Sequence, residues 1–260
     1  MADELVPMKP QVYKDPRPKE YFDRFHERAR TRDPDPMYEI VRTVVSFVAY
    51  GFFRMRVFAA ELEPASGPVI LAPNHFSFFD HFFLAAALRR KVRFMAKSQL
   101  FARPMQYVYT HGGVFPVRRG HRDDEAFVTA KAILRRDGTV AMYCEGGRSR
   151  TGELAEQAKP GIGRLALESG AAVVPVAIFG SAKVRNWKKL QFPKVTILYG
   201  PPFRFEQVDE PTREQQQAAA DEIFDEIKAL YGQLEQLGRK GAIARWRSER
   251  RSRRQRPAPA

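Results

Sequence analysis

The stretch Pro68-Val69-Ile70-Leu71-Ala72-Pro73-Asn74-His75-Phe76-Ser77-Phe78-Phe79-Asp80 changes character midway. Its first half is an apolar run that reads as a strand, and its second half opens a helix. Ser77 suits an N-cap, and Asp80, three residues on, suits the N3 position of a capping box. Strand and helix signals then alternate along the chain. Strands are predicted near 68–72, 92–96, 113–117, 139–144, 172–178 and 194–199, and helices near 78–89, 98–109, 123–136, 160–169 and 212–236. Asp137-Gly138 marks a turn, Pro160 opens a helix and Gly170 closes it. Asp123, Asp124 and Glu125 give a helix N-terminus the charge its dipole favours. This alternation predicts an α/β fold, a mixed sheet flanked by helices in a sandwich.

The junction between strand and helix carries a His and an Asp. On one straight helix His75 and Asp80 would lie about 140° apart and could not meet. With His75 in the loop and Asp80 in the first turn, they can. A His is the side chain suited to take a proton near neutral pH, and a carboxylate beside it holds one tautomer and stabilises the imidazolium. Such a pair deprotonates an alcohol for attack on an activated acyl group. Taken alone, Asp80 is equally explained by capping and His75 by a plain loop position.

Two further segments add cations. Gly112-Gly113-Val114-Phe115-Pro116-Val117-Arg118-Arg119-Gly120 reads as a short strand ending in two arginines. Glu145-Gly146-Gly147-Arg148-Ser149-Arg150-Thr151-Gly152 follows the apolar run Thr139-Val140-Ala141-Met142-Tyr143-Cys144. Guanidinium forks grip phosphates through paired hydrogen bonds, and glycines let a backbone come close to an anion. Singly, these are a solvated strand end and a surface turn. The second is not a P-loop, because it lacks the closing Gly-Lys-Ser/Thr.

Together the segments resemble the glycerophospholipid acyltransferase family, which includes lysophosphatidate and glycerol-3-phosphate acyltransferases. His75 and Asp80 match its His-x4-Asp motif, residues 113–119 its second block, residues 145–149 its Glu-Gly-Thr-Arg-Ser block, and Val173-Val174-Pro175-Val176-Ala177-Ile178 its fourth. The likeness covers residues 69–200. Gly147 stands where the family has Thr, Cys144 where it often has Pro, and Arg118 where an Asp is common.

The resemblance implies transfer of a fatty acyl group from an acyl thioester, acyl-CoA or acyl-carrier protein, to a hydroxyl of a glycerophospholipid acceptor. With 1-acyl-glycerol 3-phosphate the product is phosphatidic acid. Glycerol 3-phosphate is the alternative acceptor, and a non-catalytic lipid-binding protein of the same fold is the alternative class. His75 is then the general base and Asp80 its partner. Arg119 and Arg148 bind the phosphate, with Arg118 and Arg150 beside them. Glu145 positions the acceptor hydroxyl or orders Arg148, while Gly146 and Gly147 admit the ligand. No cofactor and no metal is implied.

Charge and hydropathy suggest where such a protein works. The net charge is +14, and residues 239–256 alone hold nine Lys/Arg against one Glu. Apolar periodicity ends at Trp246, so 238–260 is predicted to be a disordered basic tail. An anionic membrane surface suits it, each basic residue there contributing on the order of 1 kcal/mol. Nucleic acid is not expected, since no recognition motif accompanies the charge. Only residues 37–58 suggest a membrane segment, and their uncharged core, 43–53, is eleven residues long. A spanning helix needs about 20. An interfacial helix, peripheral or monotopic at the cytoplasmic face of the cell membrane, is the expectation, with core packing as its rival. Cys144 is the single cysteine, which excludes an internal disulfide and fits a reducing compartment. The chain divides into a polar arm (1–36), a helical segment (37–60), an acyltransferase domain (61–237) and the tail. Nothing in the sequence fixes the oligomeric state.

Overall fold

The computed structural model describes residues 5–8, 14–119 and 123–255. Among these, seven strands form one sheet: β1 (Arg56–Phe58), β2 (Val69–Pro73), β3 (Val92–Lys97), β4 (Phe115–Val117), β5 (Thr139–Ala141), β6 (Ala172–Phe179) and β7 (Thr196–Tyr199). Their order is β1-β7-β6-β2-β5-β3-β4, and neighbouring pairs are parallel except β6–β7. The mixed sheet expected from the sequence is therefore present. All five residues of β2 are buried, as its unbroken apolar run requires of a strand covered on both faces.

Pro175 lies inside β6 between two neighbours, where a missing N–H is normally costly. Here it faces Gly200, just past the end of β7, and its carbonyl accepts the Gly200 N–H at 2.9 Å. The proline thus keeps one of the two bonds at this register, and the pairing resumes at Val173 and Phe203, each of which accepts the other's N–H.

Side-chain alternation along the strands builds two cores. Ile70, Val140 and Val173 face α5 (Asp124–Arg135), α6 (Gly161–Ser169) and α7 (Arg213–Gln255). Val69, Leu71 and Val174 face the opposite layer, which contains α3 (Asp80–Ala87) and the turn after α2 (Pro36–Phe47). Gly163 lets α6 lie directly on α7, since a Cβ there would collide with the Gln216 carbonyl.

The N-terminal arm contains α1 (Asp23–Thr31) and is more than a polar extension. Phe22, Phe25 and Phe101 form a small buried cluster. Arg17 pairs with Asp15 and donates to the Phe101 carbonyl and, at 2.7 Å, to that of Ser98.

Three expectations are corrected. The 37–60 segment is not helical throughout: α2 passes into a π-turn (Val48–Phe52), Arg54 takes a left-handed φ of 45°, and the chain continues as β1. That strand is too short for its period to be visible beside an aromatic-rich helix. The 98–109 helix is two pieces, a 3-10 turn (Ser98–Leu100) and α4 (Met105–His111), divided at Pro104. The basic segment is helical through Gln255 rather than disordered. The helix breaks at Gly238 (φ 58°) and resumes. Ala242 is buried beyond the break, and Trp246 packs edge-on against Phe58 at 5.7 Å. Ala242, Ile243 and Trp246 supply an apolar contact that the surrounding charge obscures. No described helix is long and apolar enough to cross a membrane.

Candidate active site

Four adjacent parallel strands end on one edge of the sheet: β2, β5, β3 and β4. Ligands of open α/β sheets bind beyond the carboxyl ends of such strands. His75 follows β2, Arg148 follows β5, Lys97 ends β3 and Arg119 follows β4. These four side chains line one cavity of about 210 Å³.

The loop after β2 is fixed before it reaches His75. Asn74 is buried and acts as a strand residue through its side chain, donating to the Ile178 carbonyl at 3.1 Å and accepting the Ile178 N–H at 2.7 Å. The His75 N–H then donates to Glu145 at 2.6 Å, and the His75 carbonyl accepts the Ser149 N–H at 2.9 Å.

His75 and Asp80 meet as their spacing requires. His75 Nδ1 is 2.9 Å from Asp80 Oδ2. The same oxygen accepts the Phe76 and Ser77 N–H groups, each at 2.7 Å. An ionised carboxylate only accepts, so Nδ1 carries the ring proton and Nε2 is left with a free lone pair. Burial lowers the His75 pKa against the opposing pull of Asp80, which keeps the base neutral near pH 7. α3 begins at Asp80 rather than at Ser77. Ser77 Oγ instead caps the turn before it, accepting the Phe79 N–H at 3.2 Å. One carboxylate thus holds both the His75 ring and the backbone of the loop before α3, while the helix itself has no side-chain cap.

Tyr143 stacks on His75 with ring centroids 3.8 Å apart and planes 17° apart. The sequence reading assigned it no role. Strand alternation back from Glu145 would have indicated its side. His81 lines the cavity wall, and burial pushes its pKa down to about 3.

The arginines divide by location. Arg119 and Arg148 face His75 across the cavity, joined by Lys97, whose pKa is lowered by burial and then by the two arginines. Arg118 turns away: its guanidinium donates to the Arg17 carbonyl and its N–H to Asp123. It secures the arm and does not line the cavity. Arg150 is exposed and, with Gly146, Gly147 and Arg148, lines a separate recess on the other side of the loop. Both Glu145 oxygens take backbone donors, His75 N–H and Ala155 N–H, and burial pushes the carboxyl up to about 7. Glu145 therefore ties two loops together.

Arg185 ties the same loops from outside and carries no sequence signal. Its guanidinium donates twice to the Phe76 carbonyl (3.1 and 2.8 Å), once to Arg150 at 2.9 Å, and to Ser149. The 3-10 segment that bears it is Ser181–Lys189.

Beside the cavity runs an apolar groove of about 320 Å³ between α2 and α4. The two share His81, Phe94, Tyr109 and Val114 as walls. The arrangement offers a neutral base, a trio of cations and an apolar trough at one point.

Several known proteins resemble this chain. Residues 54–179 match the family model described as Acyltransferase. A chloroplastic 1-acyl-sn-glycerol-3-phosphate acyltransferase of Arabidopsis thaliana is 28% identical over 149 residues, 56% of this chain and 41% of that protein. One from Brassica napus is 26% identical over 149 residues, 56% of this chain and 43% of its own length. The chain thus spans about two fifths of the curated relatives it matches. The crystal structure of the 1-acyl-sn-glycerophosphate acyltransferase from Thermotoga maritima shares the fold at 18% identity, with a TM-score of 0.57 over 81% of this chain and 89% of that one. The matched residues contain the strand ends that carry His75, Asp80, Arg119 and Arg148, and over residues 54–179 the chain is similar to the family described as Acyltransferase.

Proposed function

We propose that the protein transfers a fatty acyl group from an acyl thioester to the free hydroxyl of 1-acyl-glycerol 3-phosphate, forming phosphatidic acid. One observation carries the reading: His75 looks into a cavity with Lys97, Arg119 and Arg148 on its wall and an apolar groove alongside. The cations suit a phosphate and the groove suits an acyl chain. His75 Nε2 takes the hydroxyl proton as that oxygen bonds to the thioester carbonyl carbon. The tetrahedral intermediate collapses, the carbon–sulfur bond breaks, and the imidazolium returns its proton to the thiolate. Asp80 stabilises the imidazolium between these steps. The donor is acyl-CoA or acyl-carrier protein, and no cofactor takes part.

The test is thiol release and lipid product from acyl-CoA, with lysophosphatidate, with glycerol 3-phosphate and with neither. Release that depends on lysophosphatidate is expected. Release without acceptor would make the protein a thioesterase, and no release a lipid-binding protein. Arg148→Ala and Arg119→Ala should each raise the acceptor KM, losing roughly 1.5–3 kcal/mol of charge-assisted contact. Lysine should restore part of it, since an ammonium cannot fork. A defect confined to the donor KM would refute this assignment.

The same reading includes peripheral or monotopic attachment to the cytoplasmic face of the cell membrane. Ile40, Val44 and Phe47 lie one turn apart on α2 and are 58%, 58% and 76% exposed. Tyr50 and Phe52 extend the stripe, and Ile40, Val44 and exposed Met105 line the apolar groove. Hydrocarbon then meets the groove mouth directly, and the basic end of α7 suits anionic headgroups. Phe47→Glu should weaken vesicle binding roughly 10- to 100-fold without moving the melting temperature, the value of burying one such side chain. High salt should leave much of the wild type bound, because apolar burial is not screened. Complete release by salt would mean the attachment is electrostatic only.

A further inference from the structure

A second recess, part apolar and edged by Arg148 and Arg185, meets the His75 cavity at residues that the groove does not touch. It is a cleft of about 410 Å³ between the loop after β2 and the Ser181–Lys189 segment. Phe79 and Trp187 supply apolar wall, their rings edge-to-face at 6.0 Å. Val6 and Met8 roof it. That roof is tied down, because the Val6 N–H donates to Asn186 Oδ1 at 3.0 Å and Leu5 fills the space beside Gly152. The cleft shares two residues with the His75 cavity, Phe78 and Arg148. The groove shares neither.

The reaction proposed above brings two hydrocarbon chains to one base. The donor chain must end with its thioester carbonyl at His75, and the groove beside that cavity suits it. The acceptor's existing chain leaves from the same glycerol whose phosphate is assigned to Arg148. We infer that the Phe79–Trp187 cleft binds the acyl chain already on the acceptor, and so selects lysophosphatidate over glycerol 3-phosphate. The inference rests on that functional reading and extends it to the choice of acceptor. Arg148 is the hinge of the argument. It faces both recesses, so a phosphate on its guanidinium has its tail at the cleft mouth. Trp187 remains 42% exposed, so a chain added there covers apolar surface that water now wets.

The experiment uses the full chain, acyl-CoA, and three acceptors: hexadecanoyl lysophosphatidate, hexanoyl lysophosphatidate and glycerol 3-phosphate. The wild type should prefer them in that order. Trp187→Ala removes a wall and Met8→Asp puts a charge in the roof. Each should lower the ratio of kcat/KM for the long-chain acceptor over the short-chain one roughly tenfold, the scale of one lost apolar wall. The KM for acyl-CoA should not move. The inference is overturned if that ratio is unchanged in both variants, if the acyl-CoA KM moves instead, or if the wild type uses glycerol 3-phosphate as well as long-chain lysophosphatidate. Failure of the wild type to acylate any of the three is a different result, which removes the functional reading itself.

Discussion

His75→Ala is expected to lower turnover by about 10²–10⁴-fold while leaving the protein folded, the range for loss of a positioned general base. The side chain is held by one hydrogen bond to Asp80 and by stacking on Tyr143. Removing it leaves Asp80 with its two backbone donors, Phe76 and Ser77. The cost in stability is therefore on the order of 1–3 kcal/mol, a fraction of what a domain of this size holds. Turnover and circular dichroism of the purified variant check both halves. A folded variant keeping more than about a tenth of wild-type activity contradicts a proton-transfer role of this size.

Asp80→Asn is the second large effect, about 10³–10⁴-fold in kcat, because a neutral amide cannot balance the imidazolium and also favours the wrong tautomer. The substitution preserves shape at a fully buried position. The amide oxygen can still receive the loop N–H groups, so the loop stays held while the charge is lost. The contrast is read by pairing kcat with the melting temperature. If the variant melts earlier and turns over normally, Asp80 serves only the loop backbone.

Much of this site was legible in the chain. The ends of β2, β4 and β5 appear as apolar runs leading to histidine, arginine or glycine, and the residues of one such junction must reach one edge of a sheet. What the sequence leaves undetermined is which way each side chain turns. Arg118 and Arg119 are neighbours, yet one holds the arm and the other lines the cavity. Successive residues at a strand end point to opposite sides, and a pattern read without register does not say which is inside. Lys97 ends a strand with no motif around it. It becomes a site residue because β3 lies next to β5, a neighbour relation that local sequence does not encode. Arg185 was invisible for the same reason: its partners are backbone carbonyls more than thirty residues distant. The basic helix end was misread because composition outweighed a few apolar contacts that only folding brings together.

The bracket formed by Arg185 has an energetic consequence. One guanidinium grips the loop that carries His75 and the loop that carries Arg148. Substitutions on the two loops therefore share a partner, and their free-energy costs should not sum. A change that slackens the His75 loop already spends part of the damage available to the Arg148 loop. Ordering of either loop by a bound substrate stiffens the other through the same cation. In the proposed reaction donor and acceptor are then thermodynamically linked through Arg185, which itself lines the Phe79–Trp187 cleft, and in the double-mutant sense the His75 and Arg148 loops form a single unit.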